Sequence, residues 1–404
     1  MKIFKNFFKK NELKLLWPFY TSNLFYIFFI YSAFYVLYFR ELGFSLLQIG
    51  AFISVGAIAG ILFEIPTGAI ADIYGRKFST LFGTFLMGIT IFLMFFFTNF
   101  YILLVLFFLL SVFYTFISGA EEAWTVDLLK SKKKERLIDE FYVKDPSIVN
   151  LSMFIAGIIG AIIVAKFGLR AIWPVTGLSI ILMGITLSFG KEHFIRKKQH
   201  LKEHTKEFFK QSKDSYKYSK KNKAISLILF ASFFWAISFA FSSDILWIPL
   251  LKNFGLQDYL FGFIFSATFA LGIFAPFLAR KWSRKTKSKK QFLIYVVGFM
   301  CLLSFSVFFI NSLIPLLLVY FIYLSCFDFF GPINRPFFQG FIPSKMRATI
   351  TSFRQFIFSI TAIFTPLLVG FLADKVGPKL VIPLGIFVLI PVILLYNKIP
   401  ENQK

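Results

Sequence analysis

Gly68-Ala-Ile-Ala-Asp72-Ile-Tyr-Gly75-Arg76-Lys77 is a short polar hinge between two long apolar segments, at about 45–70 and 78–97. Each segment is long enough to cross a bilayer, which takes about 20 apolar residues. Gly75 lets the backbone turn, and Arg76 and Lys77 hold that turn on the cytoplasmic side. Asp72 is free to bond to the end of a neighbouring helix. The stretch therefore predicts a tight cytoplasmic turn between two membrane-spanning helices.

The composition indicates that lipid is the solvent for most of the chain. Of its 404 residues, 57% are hydrophobic, 16% are charged and 61 are Phe. A soluble domain normally has an apolar share of about half or less. The net charge of +24 would suggest a nucleic acid partner in a soluble protein. Here Lys and Arg collect in connectors on one side of the membrane, so no nucleic acid partner is expected.

Twelve apolar runs predict twelve membrane-spanning helices. They lie at about 15–39, 45–70, 78–97, 101–126, 147–167, 170–190, 224–251, 259–279, 291–310, 313–340, 347–373 and 377–397. With the N-terminus inside, 38 of the 44 Lys and Arg residues fall on the inner side. Basic residues favour the cytoplasmic side. We therefore expect a multi-pass plasma-membrane protein, a monomer, with both termini in the cytoplasm.

The two halves of the sequence repeat. Gly43, Gly50, Asn99 and Gly119 recur 212 residues later as Gly255, Gly262, Asn311 and Gly331. Such parallel repeats place a substrate site near the bilayer midplane. We expect an N-terminal six-helix bundle at 1–190, a cytoplasmic linker at 191–223 and a C-terminal six-helix bundle at 224–404. The linker carries 12 basic against 4 acidic residues and is predicted to be an amphipathic helix on anionic lipid headgroups.

The hinge resembles the signature between the second and third helices of the major facilitator superfamily of secondary transporters. Phe63-Glu64-Ile65-Pro66-Thr67 before it fits the bacterial version of that signature. The resemblance implies an all-α membrane protein with two pseudo-symmetric bundles, which moves a small-molecule substrate by alternating access. A second copy of the motif, Gly370-Phe-Leu-Ala-Asp374-Lys-Val-Gly377, follows the eleventh span and is predicted to be an outer turn.

The resemblance also implies gating roles. In the family, the acid of the motif braces the start of the eleventh helix, here near Arg347, and a base of the motif pairs with an acid that ends the fourth helix. These roles fall on Asp72, Arg76 and Asp127. The complete predicted gating motif is Gly68, Asp72, Gly75, Arg76, Lys77 and Asp127.

A polar stripe on the fourth span carries the first candidate site. Its members fall within about a 120° arc at 100° per residue: Ser111, Tyr114, Thr115, Ser118, Glu121, Glu122 and Thr125. A polar stripe on a lipid-embedded helix must face protein or a watery cavity. Hydroxyls alone would be explained as contacts between helices. Two adjacent carboxylates favour a cavity, so Glu121 and Glu122 are candidate proton carriers.

The other candidates lie in the first, seventh and tenth spans. Asp328 and Arg335 share a face of the tenth span and are further candidates for proton coupling. We expect Glu121 or Glu122 to meet Arg335 when the cytoplasmic side is closed. In the family, the first, fourth, seventh and tenth helices line the central cavity. The expected lining residues are Tyr20, Asn23, Tyr26, Tyr31, Tyr114, Ser118, Trp235, Ser238, Ser242 and Asn334.

The sequence leaves the substrate and the direction of transport open. Drug–proton antiporters of the family typically have an arginine on the fourth helix a turn before the glycine, whereas Tyr114-Thr-Phe-Ile-Ser118-Gly119 has none. The aromatic-rich lining still favours proton-coupled efflux of amphipathic or drug-like molecules. An uptake symporter or uniporter for a small polar solute is the alternative, and a transport-dead receptor or scaffold is another.

Enzymatic chemistry and bound metals are not expected. No nucleophile–base pair appears in the spans, and all three histidines fall in one connector. Cys301 and Cys326 lie in apolar segments, where cysteine usually serves packing. We therefore predict neither a cofactor nor a metal site.

Overall fold

The structure is a computed structural model that describes residues 10–194, 222–286, 288–343 and 346–400. Within these ranges the regular elements are helices and no strand occurs, which confirms the predicted all-α class. The first eight α-helices are α1 (Lys10–Leu24), α2 (Tyr31–Glu41), α3 (Leu46–Tyr74), α4 (Arg76–Leu93), α5 (Phe100–Ile117), α6 (Ala120–Ser131), α7 (Arg136–Phe167) and α8 (Ile172–Ser188). The others are α9 (Lys223–Phe241), α10 (Asp244–Asn253), α11 (Leu260–Ser283), α12 (Lys289–Ser306), α13 (Leu313–Gly340), α14 (Arg347–Val376), α15 (Pro378–Leu384) and α16 (Ile386–Asn397).

Eleven helical stretches of the described chain are long and apolar enough to cross a membrane. The helix α4 is not among them, because Arg76 and Lys77 at its start lower its mean hydropathy. It nevertheless packs along α5 and α8. With α4 as the twelfth helix, the predicted set of twelve is approximately supported.

Four of the predicted spans each consist of two helices, and in the twelfth α15 and α16 meet at Gly385. The first is interrupted by a 3₁₀-helix at Phe25–Phe28, the fourth breaks at Ser118 and Gly119, and the seventh breaks at Ser242 and Ser243. Gly119 has a φ of +72°, in the left-handed region that favours glycine. The polar arc predicted over the fourth span is therefore not one continuous helical face. Secondary transporters often use such broken helices near their substrate sites.

The helix α7 begins at Arg136, well before the predicted start of the fifth span at 147. The segment predicted as a connector is its first three turns, and Pro146 lies inside the 32-residue helix. This correction matters because it places Lys144 and Asp145 on a membrane-spanning helix.

The described residues form two compact units, and each includes a segment from the other half of the sequence. The N unit comprises 10–38, 59–194 and 258–269. The C unit comprises 39–58, 222–257 and the described residues from 270 onward. The boundaries predicted at 190 and 224 stay a prediction. Most of the predicted linker, 195–221, lies outside the described residues.

A tight contact joins the start of α3 to the end of α14 within the C unit. A Cβ at Gly50 would lie 2.4 Å from the carbonyl oxygen of Pro366, and a Cβ at Gly370 would lie 2.4 Å from that of Leu46. Asp374 accepts hydrogen bonds from the backbone N–H groups of Leu46 and Leu47, both at 2.8 Å. Asp374 thus caps the N-terminus of α3, where a negative charge is favourable.

The N unit contains a matching contact between α7 and α11. A Cβ at Gly157 would lie only 2.2 Å from the carbonyl oxygen of Gly262. The hydroxyl of Ser266 donates to the carbonyl of Phe154 at 2.6 Å. Glycine therefore allows the close approach of two helices in both units. The contact of α3 has in addition the cap from the Asp374 carboxylate.

Candidate functional site

The hinge residues lie together in the N unit. Arg76 Nη1 is 2.6 Å from Asp127 Oδ2, and Arg76 Nη2 is 3.9 Å from Asp72 Oδ1. Gly75 has a φ of +106° and makes the turn between α3 and α4. The ion pair implied by the family resemblance is thus present. Its side chains are partly exposed, so it contributes little to stability. The gating role stays a prediction.

Glu192 also holds this turn, and the sequence analysis missed it. Its Oε1 accepts a hydrogen bond from the backbone N–H of Lys77 at 2.9 Å, in the first turn of α4. Lys77 Nζ donates to the carbonyls of Ser188 at 2.7 Å and Gly190 at 2.8 Å. These charges complement the positive end of α4 and the negative end of α8. The signal was weak because Glu192 lies just beyond an apolar run, among the lysines of the predicted linker.

We expect Asp72→Asn to slow transport while leaving expression and substrate binding largely unchanged. The family resemblance implies that Asp72 braces the start of α14. An acid at a helix N-terminus contributes about 0.3–2 kcal/mol, which corresponds to a change of about 2- to 30-fold. Transport rates in proteoliposomes and equilibrium binding would be compared with those of Asp139→Asn, which removes an exposed carboxylate from α7. Loss of binding with a normal transport cycle would instead give Asp72 a substrate role.

Three carboxylates collect in the membrane-spanning part of the N unit. Glu121 and Glu122 occupy the first turn of α6, directly after the break at Gly119, and Asp145 lies on α7. Asp145 interacts electrostatically with both glutamates. Within the described ranges, none of the three forms an ion pair with a basic side chain.

Hydrogen bonds from the first and fifth spans reach this carboxylate cluster, which we define as Glu121, Glu122 and Asp145. Asn23 Nδ2 donates to Asp145 Oδ1 at 2.6 Å, and the Tyr142 hydroxyl donates to Glu122 Oε1 at 2.6 Å. Tyr26 is within electrostatic range of Glu121, and also of Tyr31 and Tyr114. The predicted lining residues brought together here are Asn23, Tyr26, Tyr31 and Tyr114. Asp145 was missed because its segment was predicted as a connector.

A second charged cluster in the N unit is centred on two buried side chains, Glu12 and Lys144. Lys144 Nζ lies 2.7 Å from Glu12 Oε2 and 2.6 Å from Glu140 Oε2. The Tyr20 hydroxyl donates to Glu12 Oε1 at 2.8 Å. Glu12 has no exposed surface and Lys144 is 6% exposed. Tyr20, which was predicted to line a cavity, therefore belongs to a buried network that ties α1 to α7.

The predicted lining residues of the C unit are packed in this structure. Trp235 stacks on Phe330 with ring centroids 3.8 Å apart, and the Ser238 hydroxyl donates to the Trp235 carbonyl. Ser242 donates to the Phe239 carbonyl. All three side chains are buried, so in this structure they contact other residues of the C unit and do not form the surface of a cavity, as was predicted.

The remaining predicted residues of the C unit lie on α13. Asn334 is 3% exposed and accepts a hydrogen bond from the Tyr396 hydroxyl. Arg335 is exposed, whereas Asp328 is partly buried and points at Gly272, with Oδ2 3.6 Å from the position of a Cβ there. Among the described residues, neither Asp328 nor Arg335 forms an ion pair. Their proton-coupling role and the meeting of Arg335 with a glutamate stay predictions.

Comparisons with known proteins agree with this architecture. A family model described as Major Facilitator Superfamily matches residues 16–366. An uncharacterized MFS-type transporter, YxaM of Bacillus subtilis (strain 168), is 23% identical over 377 residues, 92% of each chain.

Solved structures also resemble the chain. The nucleoside transporter NupG superposes with a TM-score of 0.73 at 14% identity, covering 95% of this chain and 98% of that one. A bacterial homolog to the human lysosomal transporter Spinster superposes with a TM-score of 0.72 at 14% identity, covering 94% and 95%. At these identities the likeness shows the fold alone.

Proposed function

Because the chain belongs to the major facilitator superfamily, and is therefore a membrane transporter of small molecules and not an enzyme, we propose that it exports amphipathic, drug-like compounds in exchange for protons. We also propose that it works as a monomer in the plasma membrane, with both termini and the basic linker on the cytoplasmic side. The observation that carries the proposal is the carboxylate cluster of the N unit.

The carboxylate cluster has the chemistry that proton exchange requires. Charged groups inside a membrane span are costly to keep and are mostly functional. Glu121 and Asp145 repel each other, so a single proton bound by the pair relieves the repulsion. A positively charged substrate relieves the same repulsion. Proton and substrate therefore compete for one site, and that competition is the basis of exchange.

The surroundings of the cluster favour an amphipathic substrate. Tyr26 lies within electrostatic range of Glu121, and Tyr31 and Tyr114 lie within the same range of Tyr26. Aromatic faces attract cations, and the effect is larger where water is excluded. An organic cation with an apolar body satisfies both the rings and the carboxylates.

In alternating access, binding of a ligand is coupled to the direction in which the site opens. A ligand shifts a conformational equilibrium only by its difference in affinity for the two states. Protonation of Glu121 changes the charge next to the break at Gly119, where two helix segments can reorient. The proton and the substrate would thus favour opposite orientations of the site.

We expect Glu121→Gln and Asp145→Asn each to lower pH-driven transport by about 5- to 150-fold, the range of a typical coupling free energy. Exchange of substrate without a pH gradient should be retained at saturating substrate, because each variant keeps two of the three carboxylates and the size of the replaced side chain. The measurement is uptake of a fluorescent lipophilic cation by proteoliposomes, with and without a pH gradient.

Glu64→Gln is the matched control, since Glu64 is an exposed carboxylate on α3, outside the cluster. It should transport as the unmodified protein does. Normal pH-driven transport in both cluster variants would overturn proton coupling. Uptake of an uncharged polar solute, with no response to the lipophilic cation, would establish the alternative of a nutrient symporter or uniporter.

A further inference from the structure

A deep apolar groove runs along the membrane-facing surface of the C unit, between α11, α12 and α13. Its volume is about 680 Å³, and its walls include Leu271, Phe299, Leu318 and Trp282. Several wall residues are open to the surroundings, among them Leu318, 58% exposed, and Trp282, 51% exposed. A groove of this kind on a membrane-spanning surface admits an apolar chain from the bilayer.

Most of the groove wall is apolar, and few polar groups line it. Of its three hydroxyls, Ser325 donates to the Phe321 carbonyl and Thr286 to the Ser283 carbonyl, both at 2.8 Å. The third, on Tyr295, accepts a hydrogen bond from Gln291 Nε2 at 2.8 Å. A polar compound would lose hydrogen bonds to water on entry without replacement. The part of the ligand inside the groove is therefore hydrocarbon.

The end of the groove is strongly basic. Trp282 and Thr286 line the groove, and the exposed side chains of Arg284 and Lys285 lie between them in the sequence. Arg280, Lys281 and Lys289 are also exposed nearby. No Asp or Glu occurs between Asp258 and Asp328. In the described part of the chain, no carboxylate forms an ion pair with Arg284 or Lys285, so this end attracts anions.

We propose that the groove binds one anionic phospholipid, with an acyl chain between α11, α12 and α13 and the phosphate at Arg284 and Lys285. From Leu271 to Trp282 the groove follows 11 residue steps of α11. At 1.5 Å per step this is roughly 16 Å, close to half of the ~30 Å hydrocarbon core. The groove therefore matches one leaflet, the leaflet on the basic side. The proposal does not depend on the substrate or the coupling ion.

Lipid retention by the purified full-length chain tests the headgroup. The chain would be exposed in detergent to equal amounts of dioleoyl phosphatidylglycerol and dioleoyl phosphatidylcholine, and bound lipid would be counted by native mass spectrometry. We expect one phosphatidylglycerol to be retained. Arg284→Gln/Lys285→Gln should weaken its binding by about fivefold for each charge removed. Equal retention of the two lipids would overturn the proposal.

The control removes two charges elsewhere. Lys132 and Lys133 are exposed between α6 and α7 and belong to the N unit. Lys132→Gln/Lys133→Gln should retain phosphatidylglycerol as the unmodified chain does. An equal loss in this control would show that binding follows net charge and not the groove, and would contradict the proposal.

Tryptophan fluorescence tests the position of the acyl chain. Phosphatidylglycerol with brominated chains should quench the protein with a saturable component that is absent in Trp282→Phe. Trp282 is exposed at the end of the groove and its ring lies 5.3 Å from that of Phe329. Identical quenching in the two proteins would place the chain outside the groove.

Discussion

Lys144→Met is expected to lower the stability of the folded chain by about 3–5 kcal/mol, the usual cost of leaving a buried charge without its partner. Lys144 contacts Glu12 and Glu140, and Glu12 has no exposed surface. Without the ammonium group, the carboxylate of Glu12 loses both of its contacts with Lys144 Nζ. We expect a large fall in the apparent melting temperature and in the yield of monodisperse protein.

Two variants make this result specific. Lys132→Met removes a charge from an exposed position nearby and should leave the melting temperature almost unchanged. Glu12→Met/Lys144→Met removes both charges, and replacing a buried pair by apolar groups is often neutral. It should therefore recover much of the lost stability. If Lys144→Met melts as Lys132→Met does, the cluster does not hold α1 to α7.

Gly50→Ala is expected to displace the contact between α3 and α14. Its Cβ would lie 2.4 Å from the carbonyl oxygen of Pro366, a backbone atom that cannot rotate away. Overpacking costs about 1–3 kcal/mol, so the population of the conformer with this contact should fall by about 5- to 150-fold. Transport should slow because the cycle passes through this conformer less often.

The measurement is the reactivity of a cysteine placed at Ser54, which is 3% exposed on the same helix. Cys301 and Cys326 would first be replaced by Ala. Gly60→Ala is the control, since a Cβ at Gly60 meets no atom within 4 Å. It should leave both reactivity and transport unchanged. Protection of the cysteine in Gly50→Ala, as in the parent protein, would contradict the prediction.

Local patterns were sufficient to predict the spans and the hinge. The apolar runs gave the helices, and Gly75 with Arg76 and Lys77 gave the turn, because both depend on residues close in sequence. The break at Ser118 and Gly119 also had a visible signal, since serine and glycine disfavour a helix interior. The 3₁₀-helix at Phe25–Phe28 had none, because phenylalanine fits either geometry.

The candidate site was harder to predict because its contacts join distant residues. Glu12 and Lys144 are 132 positions apart, and Asn23 and Asp145 are 122 apart. The fifth span was predicted from 147, yet α7 begins at Arg136 and contains Pro146. The first turns of α7 are rich in charge and look like a connector. The burial of Phe141 and Lys144 in these turns follows from packing against α1, which no local pattern reveals.

The exchange of segments between the two units has a consequence for biosynthesis. The N unit includes 258–269, which the ribosome makes after the rest of that unit is complete. Synthesis from 194 to 269 takes roughly 4–15 s at about 5–20 residues per second. During that time α7 presents Gly157 and Phe154 without Gly262 and Ser266. Until 258–269 is made, the face of α7 that packs against α11 therefore has no partner in the membrane. We expect a chain truncated before 258 to be degraded by quality-control proteases.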